Sequence, residues 1–138
     1  MDQQGLIMKI TATIFLGLAS IIHIYIFLME SIWWGTNKIN KAFNVSPEDA
    51  LVLKGFAFNQ GYYNLFLAME ILLGLFLWFG PGPKVGAALC AFSAASMLGA
   101  ATVLILSAPH LKRAAFIQGA APFIALILLV TLYFKDKL

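Results

Sequence analysis

Charge is what this chain has least of. Charged residues make up 11% of it and hydrophobic residues 62%, against about 25% and about 45–50% in soluble globular domains. Too little polar side chain remains to clothe a water-facing surface, so the composition points into a bilayer. Cysteine is almost missing as well: Cys90 stands alone, which excludes an internal disulfide framework and a cysteine-rich metal site. Histidine occurs only as His23 and His110, on different segments and without the H-E-x-x-H or H-x-x-x-H spacing of a helical metal site, so no metal is expected. The net charge of +3 is scattered and forms no basic stripe for nucleic acid. No glycine-rich loop carries the Lys-Ser/Thr that cradles phosphate. No cofactor is expected.

What the chain does have is long apolar runs. Four of them, roughly 10–29, 56–79, 85–106 and 114–134, reach the length of about 20 residues that a helix needs to cross a bilayer. Backbone groups in lipid must bond internally, which favours helices packed together. The fold class expected is therefore all-α, an integral membrane four-helix bundle with both termini on one side, and 138 residues suit a single domain. The first run exceeds a signal-peptide core, is preceded nearby by Lys9 alone, and is followed by no A-x-A cleavage site, so it is expected to be a retained helix. A multi-pass protein of a cell membrane follows.

The connections have their own chemistry. Ser31 to about Gly55 is the longest; it opens with Trp33-Trp34, an aromatic pair suited to the headgroup level. At Ser46-Pro47-Glu48-Asp49 a helix is expected to start and run into the second span: serine caps, proline fits the first turn, and acids favour the positive end of the dipole. Gly80-Pro-Gly-Pro-Lys84 is a tight turn that makes spans two and three antiparallel neighbours. Lys9, Lys84, Lys135 and Lys137 fall at the terminal side, against Lys38, Lys41, Lys54, Lys112 and Arg113 at the other. This balance tips slightly toward connections one and three facing the cytoplasm. Ala87, Ala91, Ala95 and Gly99 form a small-residue stripe on span three. It serves packing within the bundle or the seam of a homodimer.

Polar residues inside a membrane are costly and usually face the bundle interior. Counted inward from connections one and three, Glu30 lies at the boundary; Asn59, Gln60, Thr102 and Gln118 lie one turn inside spans two, three and four; His23, Tyr63 and Asn64 lie one turn deeper, level with Gly99 and Pro122. The opposite half is nearly all apolar, apart from Glu70. His23 and Glu30 are seven residues apart, so one helical stripe carries both, about 10 Å apart along the axis and too far for a direct bond. Each needs a partner from another helix: His23 from Tyr63 or Asn64, Glu30 from Gln60, Asn59 or Gln118. Gly119 and Pro122 are expected to kink span four and open a cavity.

Taken singly these residues are bland. A lone histidine on an apolar helix is more often structural, and a glutamate at a span's end can be interfacial. Convergence from four helices carries the sharper reading of a ligand or proton site comprising His23, Glu30, Asn59, Gln60, Tyr63, Asn64, Thr102 and Gln118. Its ligand would be small and amphipathic or lipophilic. Two other activities stay open: a proton-coupled exporter working as a homodimer, and a membrane-embedded enzyme with His23 as base and Glu30 or Tyr63 as acid. A purely structural polar layer that fixes helix register is the fourth reading.

The pattern His23-x-Tyr25-x-x-x-x-Glu30, Asn59-Gln60-Gly61-x-Tyr63-Asn64-x-Phe66-Leu67-Ala68, Gly99-x-x-Thr102 and Gln118-x-x-x-Pro122 resembles domain-of-unknown-function family 1304. These are small, mostly bacterial integral membrane proteins with four predicted spans. The resemblance covers nearly the whole chain and implies no established activity or ligand. It implies that His23, Glu30, Asn59, Gln60, Tyr63, Asn64 and Gln118 belong to a family pattern. This chain departs from it after Trp34, where Gly35-Thr36-Asn37 replaces Thr-Pro, and at Glu70.

Overall fold

A computed structural model describes residues 2–135; Lys137, counted above at the terminal side, lies outside them. The order of elements is α1 (Gln3–Phe27), a π-helical turn (Leu28–Ile32), α2 (Asn37–Phe43), α3 (Pro47–Phe79), α4 (Pro83–Ser107), a 3-10 turn (Pro109–Leu111) and α5 (Lys112–Phe134). Among the described residues no strand occurs. Four helical stretches, 3–32, 47–79, 83–107 and 109–134, are long and apolar enough to cross a membrane. This is the build of a multi-pass membrane protein.

The ends of these helices follow from local chemistry. The Asp2 side chain accepts a bond from the Gly5 backbone N–H at 2.8 Å and starts α1, several residues before the expected span. Ser46 Oγ accepts from the Asp49 N–H at 3.0 Å, with Pro47 in the first turn, so α3 begins where the cap pattern places it. At 33 residues, α3 is about 50 Å long. That exceeds the hydrocarbon thickness of about 30 Å, so its first turns project beyond a bilayer core. α2 ends on Asn44 in the left-handed region (φ 54°), a C-terminal cap in which the Val45 N–H reaches the Asn40 carbonyl at 2.9 Å.

The four long helices form an all-α bundle. α1 packs on α3 and α5, α3 on α4, and α4 on α5, while α1 and α4 meet only marginally across the diagonal. Alanine dominates the buried surface: Ala12, Ala19, Ala94, Ala121 and Ala125 surround Leu16, Ile71, Met97 and Leu132. Small residues suit this setting. Lipid offers no hydrophobic drive between helices, so close backbone approach and hydrogen bonds hold the seams. Ser93 Oγ–H donates to the Leu67 carbonyl at 2.7 Å and Ser20 Oγ–H to the Ala68 carbonyl at 3.4 Å. At the terminal end, Lys9 Nζ sits over the rings of Trp78 and Phe79, 4.9 and 4.7 Å from their centroids. The aromatic faces receive a cation that would otherwise face lipid.

The small-residue stripe on α4 does not lie on one surface. Ala87 is buried in the bundle, whereas Ala95 and Gly99 are exposed. α4 approaches α3 tightly at other residues, Gly86 and Cys90 against Gly74.

Candidate functional site

Glu30 lies inside the π-helical turn, where the Trp33 N–H reaches back five residues to the Leu28 carbonyl at 2.8 Å. The wider turn rotates Glu30 away from the azimuth a regular helix would give it and delivers it to α3. There Asn64 Nδ2–H donates to Glu30 Oε2 at 3.0 Å, and also to the Gln60 carbonyl at 3.0 Å. The next residue fixes the junction: Ser31 Oγ–H donates to the Phe58 carbonyl at 2.9 Å. Gly61 makes this approach feasible. A Cβ there would collide with Ser31 Oγ and come within 3.1 Å of Glu30 Cβ.

The first connection folds over the same end of α3. Trp34 Nε1–H donates to the Ala50 carbonyl at 2.8 Å, and the Trp34 ring meets Phe43 edge-on at 5.4 Å. Between this fold-over and α3 runs an open groove of about 380 Å³, within the range of about 300–1,000 Å³ of small-molecule sites. Glu30, Asn59 and Gln60 are its polar lining, and Trp34, Phe43, Phe56 and Tyr63 its aromatic lining. A second groove, about 910 Å³, lies at the terminal end between α4 and α5, with Ala87 and Ala91 on its floor and Lys84 and Tyr133 in its wall.

The expected site residues therefore divide. Glu30, Asn59, Gln60 and Tyr63 share the groove, and Asn64 holds Glu30 from behind. Tyr63 is 64% exposed, so it faces outward and pairs with neither His23 nor the bundle interior. His23 is fully buried, and its Nδ1–H donates to the Ala19 carbonyl at 2.9 Å, one turn back in its own helix. Its partner is thus neither Tyr63 nor Asn64 but the backbone carbonyl four residues earlier, which the helix places within reach of the ring. Nε2 has no partner among the described residues. Thr102 is exposed and its hydroxyl donates back to the Leu98 carbonyl at 2.9 Å, which keeps it outside the groove. Gln118 is half-buried on α5 and does not line the groove either. Pro122 is buried within α5, and the groove opens beside α3 rather than at Pro122.

Residue type alone did not single out four contributors: Ser31, Gly61, Phe43 and Phe56. The signal for Gly61 was a glycine inside a helix, where it costs about 0.5–1 kcal/mol relative to alanine and so implies a close contact.

The orphan nitrogen of His23 has a stability consequence. Leaving a buried polar atom unpaired costs about 1–3 kcal/mol, whereas an apolar side chain of similar size carries no such cost. His23→Leu is therefore expected to melt at the wild-type temperature or higher in detergent. A drop of several degrees would show that Nε2 has a partner in the working protein.

The sequence model of one family, described as proteins of unknown function (DUF1304), matches residues 17–130. The chain belongs to this family. The match contains every element that builds the groove, from the end of α1 through α3. No curated protein and no solved structure matches this DUF1304 chain.

Proposed function

We infer that this DUF1304 protein sits in the bacterial inner membrane and binds a small amphipathic molecule in the groove between its first connection and α3. One observation carries the reading. A carboxylate, two amide side chains and four aromatic rings line a single open groove at the connection end of the bundle. Exposed polar side chains on a lipid-facing helix are expensive unless something answers them. An amphiphile does so: its head meets Glu30, Asn59 and Gln60, and its chain stays in the surrounding lipid. Pre-organisation supports binding, since Asn64 and Gly61 fix the position of Glu30, and Ala50 and Phe43 fix that of Trp34.

The test is calorimetric titration of the protein in phosphatidylcholine nanodiscs with decyl amphiphiles bearing neutral, cationic and anionic heads. Saturable binding of at least one of them is expected. Gln60→Leu combined with Asn59→Leu should weaken it about tenfold or more, as expected for loss of a buried hydrogen-bond set, without lowering the melting temperature. Partitioning that never saturates and is the same in the double variant would overturn the reading.

A further inference from the structure

The charge balance of the groove narrows the ligand class, and this inference rests on the binding reading just given. Among the described residues, Glu30 is the one titratable carboxylate in the lining, and no lysine, arginine or histidine lines the groove with it. Its hydrogen-bond partner is the neutral amide of Asn64 at 3.0 Å, and no basic side chain among the described residues pairs with it. Trp34, Phe43, Phe56 and Tyr63 surround the same space. Ring faces carry partial negative charge and attract cations, tryptophan and tyrosine most strongly. The lining thus presents one carboxylate, two amides and four electron-rich rings, and no positively charged group to pair with an anion.

An anionic head would meet Glu30 with no cationic side chain in the lining to offset the repulsion. A neutral head would occupy the amides and leave the carboxylate with the Asn64 amide but without a counter-charge. A positively charged head satisfies both. The terminal-end groove differs in this respect: among the described residues Lys84 lines it and no acid does, so the two grooves differ in the charge they present. We propose that the groove beside α3 takes an amphipathic organic cation, an alkylammonium whose head lies against Glu30 and the aromatic rings.

The experiment uses the full chain in phosphatidylcholine nanodiscs and three probes that differ in the head alone: decyltrimethylammonium, decyl sulfate and monodecanoylglycerol. The ammonium is expected to bind about tenfold or more tighter than either of the others, as a carboxylate and cation–π contacts together allow. Glu30→Gln keeps an oxygen for Asn64 but removes the charge, and it should erase that difference. Should Glu30→Gln prove unstable, Tyr63→Leu, at an exposed position, should lower ammonium affinity several-fold and leave monodecanoylglycerol untouched. Equal or better binding of the sulfate or the glycerol ester, sensitive to Asn59 and Gln60, would overturn the cation assignment while keeping the site. Absence of any Asn59- and Gln60-sensitive binding would remove the site and the assignment together.

Discussion

Gly86→Ala is expected to cost about 3 kcal/mol of stability, the upper end for overpacking a tight contact, and to lower the yield of folded protein. A Cβ at Gly86 would overlap the Trp78 backbone nitrogen and approach the Leu77 carbonyl carbon to 2.8 Å. These are backbone atoms of α3 just before the Gly80-Pro81-Gly82-Pro83 turn, so no rotamer change relieves the clash. Gly74 on the facing helix is equally confined, with Cys90 Sγ 2.7 Å and the Gly86 carbonyl 3.0 Å from its would-be Cβ. The internal control is Gly99→Ala on the same helix. No atom lies within 4 Å of a Cβ there, and replacing a mid-helix glycine gains about 0.5–1 kcal/mol. Thermal unfolding in detergent, followed by circular dichroism, should separate the two variants in opposite directions from wild type. Coincident melting curves would mean that the α3–α4 seam relaxes freely.

The contrast between those glycines shows what a membrane sequence conceals. Depth is partly legible: counting residues from the ends of apolar runs puts Glu30, Asn59 and Gln60 at similar levels, and the three share one groove, while the Ser46-Pro47 cap and the Gly80-Pro-Gly-Pro turn mark helix boundaries by chemistry. Azimuth is not. A helix apolar all round has no polar face to mark which side packs inward, so Thr102 and Tyr63, placed with the interior by depth, face outward. The π-helical turn is hidden for a related reason. Leu28-Met-Glu-Ser-Ile32 contains no proline or glycine, and the extra residue is accommodated through tertiary contact with α3. Such turns often occur at functional sites. Asn64, expected with Tyr63 as a candidate partner of His23, bonds Glu30 from this turn instead, and His23 bonds its own backbone.

The second large effect is expected at Gly61, where the π-helical turn touches α3. Its would-be Cβ meets Ser31 Oγ, with the Ser31 backbone nitrogen and Glu30 Cβ both at 3.1 Å. Gly61→Ala must therefore displace Ser31, break its bond to the Phe58 carbonyl, and lift Glu30 from Asn64. The stability cost should be about 1–2 kcal/mol, one lost hydrogen bond plus local strain. The binding cost should be larger, because a displacement of the order of 1 Å disables a pre-organised site. Ligand affinity is expected to fall about tenfold or more. Ser31→Ala alone removes the hydroxyl and should cost about 1 kcal/mol. In the double variant the hydroxyl that blocks the new methyl is gone, so the two losses should combine to less than their sum by 0.5 kcal/mol or more, the range of coupling seen for residues in contact. Strict additivity of the unfolding free energies would show that Gly61 and Ser31 do not share this contact. Unchanged binding in Gly61→Ala would show that the groove tolerates movement of Glu30, and Gly61 would lose its positioning role.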